Sequence, residues 1–550
     1  ERRGQHRRRG SRRGLRCVQV GKLPTETSII QQNLVGPSLG EENIQRSIRA
    51  LLIGFSIVLI FMILYYGGGG IVSIIALFLN LFFIFGALAS LGTVLTLPGI
   101  AGIVLTIGMA VDANVIIFER IREETREGKG LLMAINDGFK NSYSAIIDAN
   151  VTTILTAIVL AYFGLGPIKG FAVVLIVGVL ASLFTAVLVG RLLIDWWTGG
   201  GRSMTFHTGF SKNAFANLNI DWLGKRRLAY IISGTFLVLG LASFFTRGFE
   251  LGVDFKGGYS YNITFEQDVE AEALRQSLTT AFQGSVPTVK AVDTENTYNV
   301  VTDYLIDSDA DNADNEVMAK LHEGVNSLLG GSIALESFKD PEGQGTHVTN
   351  SSKVGPTIAD DIKNSAVEAS IFALLLIFLY IFIRFSKWQY SLGAVAALFH
   401  DTLIVLAIFS ILHGIVPFNL EIDQTFIAAI LTVIGYSIND TVVVFDRIRE
   451  YIGLYPNKDK KAVINLAVNS TVSRTVITSL TTLFVVAILF IFGGTSIKGF
   501  AFALLVGIIV GTYSSIFVAT PIMSDLSAEL TGKKQTERKA TFSRAASKAR

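Results

Sequence analysis

Residues Gly435–Glu450 read GYSINDTVVVFDRIRE. The stretch continues an apolar helix that begins at about Phe426. It carries a carboxylate, Asp440, where a lipid-facing helix has none, and leaves through the charged run Asp446-Arg447-Ile448-Arg449-Glu450. A near copy, GMAVDANVIIFERIRE, occupies Gly108–Glu123. Superposing Gly108 on Gly435 sets Asp112 against Asn439 and Ala113 against Asp440. Two such elements, each at the exit of an apolar run, signal an internal repeat.

Working outward, further pairs extend the repeat. Val35-Gly36-Pro37-Ser38-Leu39-Gly40 answers Val354-Gly355-Pro356-Thr357-Ile358-Ala359. Ala76–Asn80 answers Ala397–Asp401, Val151-Thr152-Thr153 answers Leu480-Thr481-Thr482, and Ile168-Lys169-Gly170-Phe171 answers Ile497-Lys498-Gly499-Phe500. Apolar blocks of about 18 or more residues read as membrane spans. They fall near 47–66, 71–91, 94–118, 144–164 and 168–194, then 228–246, then 366–385, 390–412, 425–446, 474–492 and 498–520. A charged loop is expected at about Glu119–Lys129. The expected organisation is a basic disordered arm (1–22), the remnant of a first extracytoplasmic domain (23–46), a first membrane block (47–194), a cytoplasmic linker (195–227), a lone span (228–246), an extracytoplasmic α+β domain (247–365), a second membrane block (366–523) and a basic cytoplasmic tail (524–550). In the α+β domain, strands are expected at Tyr259–Phe265, Tyr298–Leu305 and Ser332–Phe338, and helices at Asp268–Phe282 and Asp311–Leu329. That order suggests a ferredoxin-like fold. The fold class is thus a polytopic α-helical membrane protein of two homologous blocks, with about 11 spans.

Composition agrees. Half of the 550 residues are hydrophobic and 17% are charged. The net charge of +3 gives no argument for nucleic acid. One cysteine, Cys17, excludes an internal disulfide. No metal-ligand spacing, Walker lysine loop or nucleophile motif occurs, so neither enzyme activity nor a cofactor is expected. Gly252–Gly258 looks like a glycine loop but lacks the strand–loop–helix setting of a phosphate site. Lys and Arg cluster at 119–140, 200–227, 384–387, 447–461 and after 531, which places those loops and the C-terminus in the cytoplasm. The α+β domain then lies outside. Eight arginines in residues 1–22 would lie outside too.

An ionisable group at mid-bilayer costs about 2.5–3.5 kcal/mol even on insertion scales and marks a functional candidate. Asp112 and Asp440 lie on equivalent helices, one residue or about 100° apart in register. Arg474 opens a later span, followed by Thr475, Thr478, Ser479, Thr481 and Thr482. Asp440 with Arg474 reads as an ion switch or, alternatively, a static helix-holding pair. Asp148, His400 and Asp401 are weaker candidates, as fit for packing or capping as for function. Glu119–Glu123 and its copy read as interface markers.

These motifs resemble the SecD–SecF protein-export membrane proteins of the resistance–nodulation–division superfamily, over about 23–525. GMAVDANVIIFERIREE and IIDANVTTILTA are SecD-like. LGVDFKGG, VGPTIADDI, HDTLIV, GYSINDTVVVFDRIRE and SRTVITSLTTL are SecF-like. The resemblance implies a bacterial inner-membrane accessory subunit of the Sec translocase that uses a proton or sodium gradient to promote late export. Asp112, Asp440 and Arg474 would be its ion-pathway residues. The implied partners are the SecYEG channel and the exported preprotein, with YajC, a YidC-type insertase or a separate SecD N-terminal region as further ones. It also implies a twelfth span and a large outer domain ahead of residue 23. A superfamily exporter of small molecules or lipids and a passive translocon scaffold are the alternatives.

Overall fold

The computed structural model describes residues 31–527 except 36, 94, 165, 216–217, 293–295, 309–311, 332 and 417. The expected basic arm and the tail from 528 lie outside the described residues. In chain order the helices of five or more described residues are α1 (Pro37–Tyr66), α2 (Gly68–Ser90), α3 (Leu97–Arg126), α4 (Leu131–Phe163), α5 (Pro167–Gly199), α6 (Trp222–Arg247), α7 (Ala271–Ala281), α8 (Ala313–Leu329), α9 (Leu335–Lys339), α10 (Pro356–Phe385), α11 (Trp388–Leu412), α12 (Gln424–Leu454), α13 (Lys460–Phe492) and α14 (Ser496–Leu526). The strands are β1 (Gln31–Val35), β2 (Gly258–Thr264), β3 (Thr288–Ala291), β4 (Thr297–Thr302) and β5 (His347–Val354). Contacts divide the chain into a sheet unit, built on 256–291 and 296–359, and a helical unit.

Eleven described helices are long and apolar enough to cross a membrane, and the protein is a multi-pass membrane protein. The central pair is α3 and α12, whose most apolar windows are 94% and 89% buried, against 17% and 22% for α6 and α10. A helix so enclosed can carry polar side chains at membrane depth without presenting them to lipid. Each of the two begins on a side-chain cap. Thr96 accepts from the Gly99 N–H, with Pro98 in the first turn, and Asp423 accepts from the Phe426 N–H at 2.7 Å.

The repeat appears as an internal two-fold. Helix α3 packs on α13, and its equivalent α12 packs on α4, the equivalent of α13. Two matched glycines permit these crossings. A Cβ on Gly108 would sit 2.9 Å from the Thr482 backbone, and one on Gly435 would meet the Thr156 hydroxyl. The equivalent rings Phe171 and Phe500 meet edge to face at 5.4 Å. Helices α5 and α14 also share a π-helical segment at matched places, Phe184–Val189 and Ser515–Ala519.

The expected loop at 119–129 is a correction. Helix α3 runs on to Arg126, and only 127–130 connect it to α4. The charged run stays helical because Arg120 pairs along its own helix with Glu123 at 3.2 Å and Glu124 at 2.9 Å.

The sheet unit has the antiparallel order β1-β5-β2-β4-β3. The β2-α7-β3-β4-α8-β5 succession, with order β5-β2-β4-β3, is ferredoxin-like as expected, and β1 extends it along β5. Tyr261, Ile263, Val300 and Val348 from the sheet pack on Leu274, Leu278, Leu321 and Val325 from α7 and α8. The strand expected at Ser332–Phe338 does not form among its described residues, 333–338. Ile333 gives its N–H to Asn326 and its carbonyl to His322, both on α8. Those backbone groups are thereby lost to a ladder, and the last strand forms at β5 instead. Strand β3, TVKA, was not anticipated; it is short, partly exposed and without apolar alternation.

Candidate ion site between the two repeats

Asp112 on α3, Asp440 on α12 and Arg474 on α13 converge within the helical unit. Asp112 and Asp440 are 5% and 6% exposed. Asp112 lies within electrostatic range of Asp440 and Arg474, and Arg474 within range of both acids. Ser479 donates to Asp440 Oδ2 at 3.2 Å and is itself bonded to Thr512 at 2.6 Å. Two carboxylates thus face one guanidinium. With all three ionised, the cluster carries one uncompensated negative charge at membrane depth, an arrangement that favours taking up one monovalent cation.

The one-residue offset between the acids decides what each touches. Asp440 meets the hydroxyl of Ser479. Asp112 instead lines a small cavity of about 20 Å³ together with Asn439, its own repeat equivalent, and its Oδ1 has no hydrogen-bond partner. Arg474 lies in the wall of a larger cavity of about 380 Å³, which reaches Ser473, Asn469, Arg447 and Glu119 at the charged ends of α3 and α12.

The weaker candidates go elsewhere. Asp148 accepts from Tyr380 at 2.8 Å and pairs with Arg384 at 2.6 Å, joining α4 to α10. His400 and Asp401 form a buried network within the second block. Asp401 Oδ2 accepts from Ser437 at 2.6 Å and Ser514 at 2.8 Å, while Oδ1 lies 3.0 Å from His400 Nδ1. His400 Nε2 lies 2.9 Å from Ser233 Oγ, which is also 3.0 Å from Tyr513 OH. Tyr513 gives its hydrogen to the Ala229 carbonyl at 2.8 Å. Ser437 sits one turn before Asp440 on α12, so this network braces the helix that carries the acid.

Sequence reasoning treated the charged exits as interface markers and missed their pairing. Arg120 and Arg447 are repeat equivalents, as are Glu123 and Glu450. Arg120 pairs with Glu450 at 3.2 Å, and Arg447 pairs with Glu123. The interaction is reciprocal, as two-fold contacts are. Alignment of the two copies held the signal, since opposite charges occupy matched positions three apart.

At the other end of α12, the glycine stretch is a strap. Gly252 N–H donates to the Ile422 carbonyl at 3.0 Å and Ile422 N–H to the Glu250 carbonyl at 2.8 Å. Asp254 accepts from Gln424 N–H at 3.2 Å. Burial, with Asp254 nearby, pushes the Asp423 carboxyl up to about 7. Burial likewise raises Asp254.

Comparison with known proteins gives the family. The family model described as protein export membrane protein SecD/SecF, C-terminal, matches residues 18–199 and 335–529, and the SecD/SecF GG motif matches 242–269. The protein translocase subunit SecF of Rhodothermus marinus is 48% identical over 321 residues, 58% of this chain and 97% of that protein. The SecDF subunit of Brucella abortus is 34% identical over 507 residues, covering 92% of this chain and 63% of its own length. The crystal structure of SecDF from Thermus thermophilus, a translocon-associated membrane protein, superposes with a TM-score of 0.79 at 35% identity, over 91% of this chain and 64% of that one. The chain therefore spans just under two thirds of these two SecDF proteins. It belongs to the SecD/SecF family of protein-export membrane proteins.

Proposed function

We propose that this SecD/SecF family member uses the passage of one monovalent cation, a proton or Na⁺, through the Asp112–Asp440–Arg474 cluster to promote late export of polypeptides by the Sec translocase. The observation that carries the reading is the charge balance between the repeats: two buried acids and one half-buried base, one cation short of neutral. Taking up and releasing that cation changes which acid the guanidinium compensates. Because the three groups stand on α3, α12 and α13, that exchange shifts the packing between the halves, which is how repeat-built transporters alternate. By the positive-inside rule the charged ends of α3 and α12 are cytoplasmic and the sheet unit is outside. There it would act on emerging polypeptide. The proposed partners are the SecYEG channel and the preprotein, with YajC and a YidC-type insertase as neighbours. No organic cofactor has a role in this scheme.

The test uses inverted membrane vesicles carrying the chain and the translocon. Completion of preprotein transport is followed after ATP removal, with a proton gradient, a sodium gradient or neither. Completion should require one gradient and be lost in Asp440→Asn. Equal completion under all conditions and in the variant would leave a passive scaffold.

A further inference from the structure

The charged ends of α3 and α12 close on each other in a ring. Arg120 pairs with Glu123 of its own helix at 3.2 Å and with Glu450 of α12 at 3.2 Å. Arg447 pairs with Glu450 of its own helix at 2.8 Å and with Glu123 of α3. Four side chains of alternating sign thus make four ion pairs, two within a helix and two across the repeats. Backbone packing does little of this joining. Helix α3 packs mainly on α5 and α13, and α12 mainly on α4 and α14.

Glu123 is eleven positions beyond Asp112, and Glu450 ten beyond Asp440. At the rise of an α-helix the ring therefore stands about 15 Å from the acids. All four of its residues line the cavity of about 380 Å³ that reaches Arg474. Two features make the ring a joint that can part. Its side chains are between 10% and 39% exposed, and ion pairs so open to solvent are weak and easily remade. The pairs across the repeats can also break without stranding a charge. Each arginine keeps the glutamate three residues on along its own helix, and Arg120 keeps Glu124 at 2.9 Å as well. A stranded charge is what makes the loss of an enclosed pair costly. The ring thus has two fully paired states, one with the helix ends joined and one with them apart.

We propose that the Arg120–Glu123–Arg447–Glu450 ring is a clasp. It holds the cytoplasmic ends of α3 and α12 together in this conformation, and parting it is a required step of each working cycle. The clasp rests on the proposed function only in that a cycle exists, and it adds which contact that cycle breaks.

Two measurements test it on the full chain, after the one cysteine is replaced (Cys17→Ser). In the first, Glu127→Cys and Gly453→Cys, at exposed positions just beyond the ring, carry spin labels. Their separation is read by double electron–electron resonance in liposomes frozen with and without an H⁺ or Na⁺ gradient. One separation is expected without a gradient, and a second, longer one in addition with it. Glu123→Gln combined with Glu450→Gln, which removes every pair of the ring, should show the longer separation without a gradient. A single separation, unmoved by either gradient or by these substitutions, overturns the clasp. In the second, Glu123→Cys and Arg447→Cys are joined by a short bis-methanethiosulfonate in inverted vesicles carrying the translocon. Joining should stop completion of preprotein transport, and reduction should restore it. If the joined chain completes transport at the unjoined rate and completion requires a gradient, the clasp falls and the export reading stands. If joining stops a completion that ignores both gradients, the clasp stands and the ion-driven reading falls.

Discussion

Asp112, Asp440 and Arg474 were legible one by one, because a charge within an apolar run announces itself. Their partners were less so. Asn439 is neutral and was not singled out, although its alignment with Asp112 held the signal. The sequence offered Asp148 as a weaker candidate, as fit for packing as for function; it is held by Arg384 and Tyr380 from a helix more than 200 positions away, which no local pattern records. This separation makes a prediction at the same scale. Asp148→Ala removes the carboxylate that Arg384 grips, leaving the guanidinium with Asp446 at 3.3 Å. Stability in detergent should fall by about 1–3 kcal/mol, read by denaturant titration. The dependence of export on a gradient should be unaltered. His400 and Asp401 offer a second case. Asp401→Asn replaces the carboxylate oxygen beside His400 with an amide but keeps an oxygen for Ser437 and Ser514. The expected loss is about 0.5–2 kcal/mol, and His400→Leu combined with it, which installs the first-repeat residues, should cost less than the two single changes added together.

Among elements, the length of apolar blocks located the eleven described membrane helices but misjudged where helices stop. Ion pairs along the helix carried α3 past its charged run. In the sheet unit, bonds from Ile333 to α8 displaced the last strand to β5. Neither effect has a hydrophobic signature. The strap on α12 responds to acid. Asp423 is raised in the folded protein to about 7, so folding favours its protonated form. The associated stability is fully present below the ordinary carboxyl range near 4 and is lost as pH rises through about 7. Amide hydrogen exchange at 250–256 and 421–426, corrected for intrinsic rates, should therefore be faster at pH 8 than at pH 5. Equal corrected rates would refute this. The crossing of α4 and α12 makes another prediction. Gly435→Ala places a methyl against Thr156 and should destabilise by about 1–3 kcal/mol. At Gly453, where an added Cβ meets nothing within 4 Å, the same substitution should not lower stability.

For the molecule as a whole, the repeat is the organising fact, and the two copies of one motif made it readable. What could not be read was how the copies meet, since each cross-repeat contact joins residues more than 200 positions apart. These contacts are reciprocal. Glu123→Arg and Arg447→Glu should each weaken the charged ends, and the double variant should recover about 0.2–1 kcal/mol, as a partly exposed ion pair would. The central claim is that the acids and the guanidinium between the halves pass a cation. The most direct measurement places the purified chain in liposomes under a fixed membrane potential and records H⁺ and Na⁺ entry with ion-sensitive dyes. The account predicts entry of one of these ions in the wild type and its loss in both Asp112→Asn and Asp440→Asn. Entry that persists unchanged in both variants, or no entry in folded wild type, would contradict it.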